Sequence, residues 1–262
     1  MSGWFVRNYY FFLLFMFFCG WSATTSREIH VVYATDSYSD YATKGVPRSS
    51  ESVRVSASCH VKVHHATTDG HWSCLHPAMA RFDVHNSTGY LRDKACAAWL
   101  RVFAIDEMDD IPTDQWSIYL DADTIVLEDL CPILHEMNSN YPAAAVKMSH
   151  YRLSGKDFFN ASQLSVYGVS KFHRAGINNG VFMFHRGMWK TRNMTQRIWQ
   201  WQIRASETNR KEPLFYYNDM AAMTLVFLEE GYEKLEKRFN CMQENDNGCA
   251  IRHYVGAKKP WN

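Results

Sequence analysis

The stretch "YLDADTIVLEDL", residues 119 to 130, sets two aspartates one residue apart straight after an apolar run. The run, "WSIYL", reads as a buried strand, so Asp121 and Asp123 stand where that strand opens into a loop. Two carboxylates at i and i+2 in such a place can offer hard oxygens to one divalent cation, or one to a metal and one elsewhere. The bland reading is a pair of aspartates in a solvated turn.

Outward from this stretch, the apolar patterning alternates between strand and helix. "IHVVYATDS", from Ile29, is a β-branched run ending in polar turn residues, and ligands of open α/β sheets bind at such carboxyl ends. Residues 37 to 90 are polar, with Gly, Pro, Ser and His scattered through them, and predict loops with little regular structure beyond "VRVSA". Ala95, Ala98, Trp99 and Val102 follow helical spacing, which makes "RDKACAAWLRVFAID" an amphipathic helix. "AAAVKM" (143 to 148) and "GVFMFH" (180 to 185) read as further strands, and "TRNMTQRIWQWQIR" and "DMAAMTLVFLEEG" as helices, the second closed by Gly231. Trp189, Trp199 and Trp201 read as core packing. The alternation predicts an α/β fold, a mainly parallel sheet with helices on both faces, in a single domain over residues 26 to 262.

The formal net charge is +1 with no long run of one sign, which excludes the electrostatic footprint of a nucleic-acid binder. Residues 1 to 25 carry Arg7, an uncharged apolar run from Tyr9 to Trp21 and small polar residues after it, the pattern of a secretory targeting segment. Two readings stay open, a cleaved signal peptide and a short type II signal anchor, a single-pass membrane anchor. Either puts the remaining chain in the secretory-pathway lumen, in the Golgi or endoplasmic reticulum. Of seven cysteines, one (Cys19) lies in the apolar run, and the other six suit three disulfides, with Cys241/Cys249 and Cys59/Cys74 the first local pairs to expect. Asn86, Asn160 and Asn193 head N-glycosylation acceptor triplets. The histidines between His60 and His76 are irregularly spaced and read as surface residues.

The tail bears on the aspartate pair. "RHYVGAKKPW" sets His253, Gly256 and Lys259 at three-residue intervals: a metal-ligating imidazole, a glycine that lets backbone approach a phosphate, and a compact positive charge. A metal–diphosphate site needs these properties together, as in a nucleotide-sugar transferase where Mn²⁺ or Mg²⁺ neutralises the charge developing on the leaving group. A phosphohydrolase using the first aspartate as nucleophile needs a later acidic cluster for its metal, and no paired-aspartate motif follows Asp123, Asp219 standing isolated.

Five separated stretches resemble glycosyltransferase family 8, retaining enzymes of the GT-A (Rossmann-like) fold that include glycogenin and the glucoside xylosyltransferases. The stretches are "VVYATDSY", "AAWLRVF", "YLDADTIVL", "INNGVFMF" and "HYVGAKKPW", the last matching H-x-x-G-x-x-K-P-W in full. The resemblance implies a UDP-sugar donor, contacted by Ala34, Thr35, Asp36 and Tyr38 at uracil and ribose. It implies metal ligation by Asp121, Asp123 and His253, with Arg101 beside the aspartates and Gly256 and Lys259 on the diphosphate. Asn178, Asn179 and Gly180 would touch the donor sugar, and Asp219 with Asn178 would orient its hydroxyls. The reaction implied is transfer of a hexose or xylose to a glycan or glycoprotein acceptor. The family's Asp-Gln-Asp segment aligns only through Asp219, with Met220 in the glutamine's place. This departure keeps a second class open, a UDP-sugar-binding pseudo-transferase.

Overall fold

In the computed structural model, residues 28–37, 39–67, 89–152, 160–169, 175–207, 214–215, 218–243 and 246–262 are described. The targeting segment, Tyr38, Cys74 and Asn86 lie outside them. Among the described residues eight strands occur: β1 (Glu28–Thr35), β2 (His60–Thr67), β3 (Trp116–Leu120), β4 (Thr124–Val126), β5 (Ala143–Arg152), β6 (Ala175–His185), β7 (Glu233–Leu235) and β8 (Ile251–His253). Six form one sheet in the order β2-β1-β3-β6-β5-β7, while β4 and β8 make a separate two-stranded ribbon. Three pairings of the large sheet are parallel (β1 with β2, β1 with β3, β5 with β7) and two, those of β6, are antiparallel. The sheet is therefore mixed, with parallel pairing predominating.

Helices cover both faces, as expected of strands buried on both sides. Over one face lie α2 (Gly89–Glu107), α6 (Met194–Glu207) and α7 (Asn218–Glu230), where Val32, Tyr119, Phe182 and Phe184 meet Trp99, Val102, Trp189, Ile198 and Phe227. Trp199 and Trp201 are buried in the same cluster, so the tryptophans are core. Over the other face lie α1 (Val46–Ser56) and α3 (Cys131–Glu136), with Val53, Leu130 and Leu134 against Val31, Ile118 and Val181. Two short helices complete the described set, α4 (Ala161–Val166) and α5 (Arg186–Thr191). No helix among the described residues is long and apolar enough to cross a membrane.

The expectation of loops over residues 37 to 90 is corrected in its first half. A π-helical turn (Tyr41–Gly45) leads into α1, and β2 follows in register with β1 from Glu28↔His60 to Thr35↔Thr67. Pro47 sits in the first turn of α1, where its missing N–H costs nothing. The buried face of α1 includes Ser49, whose hydroxyl bonds the hydroxyls of Tyr33 and Thr124 at 3.0 Å each. A helix whose inward stripe is partly serine does not show as apolar periodicity. The cysteine expectation is also corrected, since Cys59 is bonded to Cys131 across 72 residues, whereas Cys241–Cys249 forms as expected.

His64 departs from the surface reading because it lies on the face of β2 turned toward α2. It is buried, and its Nε2 lies 2.8 Å from Nδ1 of His30, itself 2% exposed. Glu28 flanks the pair at 3.1 Å and Asp110 at 3.0 Å, with His60 and Lys62 beside those carboxylates. Burial pushes His30 down to about 4, with His64 adding to the fall; burial lowers His64 too, partly offset by Asp110. As pH falls, the unfolded chain takes up protons before the folded one does. Stability is accordingly complete above 6.5, the ordinary histidine value, and is lost as pH drops toward about 4. Urea midpoints should fall between neutral pH and about pH 5, and fall less in His30→Gln; equal slopes in the two proteins would refute the assignment.

Candidate active site

The carboxyl ends of β1 and β3 open at one edge of the sheet, and the β4–β8 ribbon folds back over it. β3 delivers Asp121, whose backbone N–H donates to Gly180 O at 2.7 Å, and Thr124 closes the turn by donating twice to Asp121 O. Pairing of Thr124 with His253 in the ribbon, together with a 2.9 Å bond from Tyr254 N to Asp123 O, brings the tail onto the aspartate turn. Asp121, Asp123 and His253 thus converge, each offering a ligand atom within 4.8 Å of the others.

The two carboxylates are held alike. Asp121 Oδ1 accepts from Tyr119 Oη at 2.8 Å and lies 3.2 Å from Arg101 Nη1, while Asp123 Oδ2 accepts from Lys259 Nζ at 2.6 Å. The remaining oxygens, Asp121 Oδ2 and Asp123 Oδ1, face His253 Nε2 at 3.7 and 3.2 Å. Each aspartate therefore has one oxygen neutralised by a cationic side chain and one turned toward a shared centre. Two carboxylate oxygens facing one ring nitrogen call for a positive charge between them, and the donor set suits a divalent cation that accepts oxygen and imidazole. Burial raises Asp123, but His253 and Lys259 together override it and leave the carboxyl below its ordinary range.

Gly180 is the cradle of this centre. A Cβ there would lie 2.3 Å from His253 Cε1 and 2.5 Å from Asp121 Oδ2, closer than such atoms approach. Gly180→Ala should leave the sheet folded, with an overpacking cost of about 1–3 kcal/mol, while closing this centre to any divalent cation. Titration of Mn²⁺ alongside thermal unfolding checks this, and unchanged Mn²⁺ affinity would exclude a cation at this position.

Arg101, from α2, organises the second half of the site. Its Nε donates to Ala98 O at 2.9 Å and lies 3.3 Å from Asp219 Oδ2, its Nη1 donates to Asn179 O at 3.0 Å, and its guanidinium covers the Tyr119 ring. Asp219 Oδ2 also accepts from Asn179 Nδ2 at 2.7 Å. Burial raises Asp219 above the ordinary carboxylate range despite the opposing pull of Arg101. For Arg101, burial is outweighed by Asp121, Tyr119 and Asp219, so the guanidinium stays charged. Asn178 accepts from Gly180 N and from Asn240 Nδ2 through Oδ1, so that oxygen is committed within the protein.

A cleft of about 240 Å³ adjoins the aspartates, lined by Ala34, Thr35, Asp36, Tyr41, Arg101 and Asp121 among others. Asp36 Oδ1 accepts from Ser39 N, and Thr35 Oγ1 lies 2.7 Å from His65 Nε2. Gly256 is exposed in a left-handed conformation, φ 95°. A larger hollow of about 750 Å³ lies at the other end of the sheet, near Glu28, Trp116 and His185, away from the aspartate turn. Of the site residues singled out from the sequence, all but Tyr38 are described. Those the sequence missed are Tyr119, two residues before Asp121 on the same side of β3, and Asn240, which carries no sequence signal.

Comparison with known proteins agrees with this architecture. The profile of Glycosyl transferase family 8 matches residues 7–262. General stress protein A of Bacillus subtilis is 25% identical over 189 residues, covering 63% of this chain and 59% of that protein. Glycosyltransferase GlyA of Streptococcus pneumoniae is 25% identical over 182 residues, covering 66% of this chain and 22% of its own length. This chain thus corresponds to only part of these curated relatives. Among solved structures, galactosyltransferase LgtC with donor and acceptor sugar analogs superposes with a TM-score of 0.61 at 15% identity, covering 89% of this chain and 90% of that one. The apo form of mouse xyloside xylosyltransferase 1 gives 0.56 at 12% identity, with 86% and 97% covered. At such identities the structures speak for the fold alone, a GT-A-like mixed sheet; with the profile matched across nearly the whole sequence, the chain belongs to glycosyltransferase family 8.

Proposed function

We propose that this chain is a retaining glycosyltransferase that moves a hexose or xylose from a UDP-sugar to a glycan or glycoprotein acceptor, with Mn²⁺, or Mg²⁺ in its place, held by Asp121, Asp123 and His253. The observation that carries the reading is the convergence of two half-neutralised carboxylates and one imidazole beside the cleft at the ends of β1 and β3. When bound, the cation would supply positive charge to the diphosphate of the leaving group. The chain's own residues do the remainder. Lys259 adds a fixed ammonium at the same edge, and Asp36 and Thr35 stand where a nucleoside would lie.

Asp219 is tied to Arg101 and Asn179, which suits it to orienting sugar hydroxyls better than to attacking carbon. This supports a route in which UDP leaves and the acceptor attacks on the same face, with no protein nucleophile. The names of LgtC and the mouse xylosyltransferase are consistent with either a hexose or a pentose donor. Met220 follows Asp219 on α7 and packs against the apolar core, and this favours the second reading, UDP-sugar binding without turnover. Two disulfides among the described residues support a lumenal location, in the Golgi or endoplasmic reticulum, on either reading of the first 25 residues.

The test is UDP release from a panel of UDP-sugars by residues 26 to 262, with Mn²⁺ and then with EDTA. Metal-dependent release from one donor is the expected result. Saturable UDP binding without release from any donor, acceptors included, would establish the binding module, and release of inorganic phosphate from simple esters would turn the assignment to a hydrolase.

A further inference from the structure

Asn240 lies in the 3₁₀ turn Lys237–Asn240, outside every motif that marks the site, yet it is 1% exposed and both polar atoms of its side chain are used. Its Nδ2 faces two oxygens, Asn178 Oδ1 at 3.1 Å and Asn178 O at 3.4 Å. Oxygens cannot donate here, so the amide nitrogen must be on that side, and its Oδ1 is left toward His253 Nδ1 at 3.0 Å. An amide oxygen only accepts. His253 Nδ1 must therefore carry the proton, and in the neutral ring Nε2 presents its lone pair to the inner oxygens of Asp121 and Asp123.

From this geometry we infer that Asn240 is a positioning residue that fixes the tautomer and plane of His253 for cation binding and ties that ring to Asn178. The inference rests on the proposed cation site. It goes further in stating that one amide joins two halves of the site that are far apart in sequence: the imidazole on β8, and the Asn178–Gly180 segment of β6, whose Gly180 N donates to the same Asn178 Oδ1. A hydrogen-bond partner behind a ligating imidazole sets its orientation and basicity, and losing one typically lowers metal affinity about 10–100-fold. The turn is also held where it is needed, since Cys241 N donates to Ile251 O at 3.0 Å and His253 N to Cys241 O at 2.8 Å.

Two substitutions separate the roles. Asn240→Leu removes the acceptor behind His253 and should weaken Mn²⁺ binding about 10–100-fold. Asn240→Asp keeps an acceptor for Nδ1–H but turns a carboxylate oxygen toward Asn178 Oδ1 and O; Mn²⁺ affinity should stay near wild type while kcat for sugar release falls. A merely structural role would move both variants' Mn²⁺ affinity in step with their melting temperatures. Equal Mn²⁺ affinity in Asn240→Leu and wild type, or equal loss in both variants, would overturn the inference. A reading on the unaltered protein needs no variant to fold: with Mg²⁺ and UDP bound, ¹⁵N shifts should show His253 protonated at Nδ1 and bare at Nε2, and the reverse pattern overturns it. Failure of the wild-type domain to bind Mn²⁺ or UDP is a different result, which sinks the cation site itself.

Discussion

Asp123→Ala is expected to cut metal-dependent UDP release by about 10²–10³-fold, the scale of losing one preorganised electrostatic element worth roughly 3–4 kcal/mol. Asp123 is the more buried carboxylate of the turn, with Oδ2 on Lys259 and Oδ1 toward His253. Its removal takes one oxygen from the cation site and frees the ammonium that shares it. Because Lys259, whose side chain is 12% exposed, loses its carboxylate, the variant should also unfold at a lower temperature, and a rate lost well below that transition belongs to the site. The readout is initial rate with saturating Mn²⁺ and the preferred donor. A variant that turns over at the wild-type rate would refute a role for this carboxylate.

The second large effect falls on stability. Arg101→Met leaves Asp219 buried without its guanidinium and leaves Asp121 Oδ1 with its bond from Tyr119 alone. Breaking a buried ion pair from one side typically costs about 3–5 kcal/mol; in a chain of this size that lowers Tm by roughly 10 °C. Arg101→Lys should rescue little, because an ammonium cannot reproduce the contacts that Nε and Nη1 make with Ala98 O, Asn179 O and two carboxylates. Adding Asp219→Asn to Arg101→Met should recover part of the loss, since no uncompensated charge then remains at that position. Thermal unfolding of the single, conservative and double variants checks this. An Arg101→Met protein as stable as wild type would mean that the guanidinium only sits beside the carboxylates.

Where local pattern and final structure share one cause, the sequence could be read. The apolar run ahead of Asp121 is a strand because its residues are buried on both faces, and its end is a loop because the carboxylates need a polar opening; both show in twelve residues. The helix around Arg101 and the strand ending at His185 were equally plain. The tail motif was legible as chemistry, since histidine, glycine and lysine at even spacing have few other reasons to occur together. Residues 41 to 56 were illegible for a specific reason: the inward stripe of α1 is satisfied by hydroxyls from Tyr33 and Thr124, partners that exist only once the sheet has formed. The partner of Cys59 was hidden likewise, because the register that brings it to Cys131 depends on β2 joining β1. Asn240 is the extreme case. Its importance lies wholly in which groups meet around it.

The Cys241–Cys249 bond has a practical bearing that geometry alone does not announce. It closes the loop between the turn carrying Asn240 and the strand carrying His253, so the imidazole arm of the site is braced by an oxidised sulfur pair. Sample history then becomes a variable of the chemistry. Protein made in a reducing cytosol, or assayed with the thiol additives often used to protect enzymes, would have this loop untied and its chain entropy restored. Two preparations of identical sequence would then differ in apparent affinity for the proposed cation for no reason other than the redox state of one hoop whose cysteines are eight positions apart.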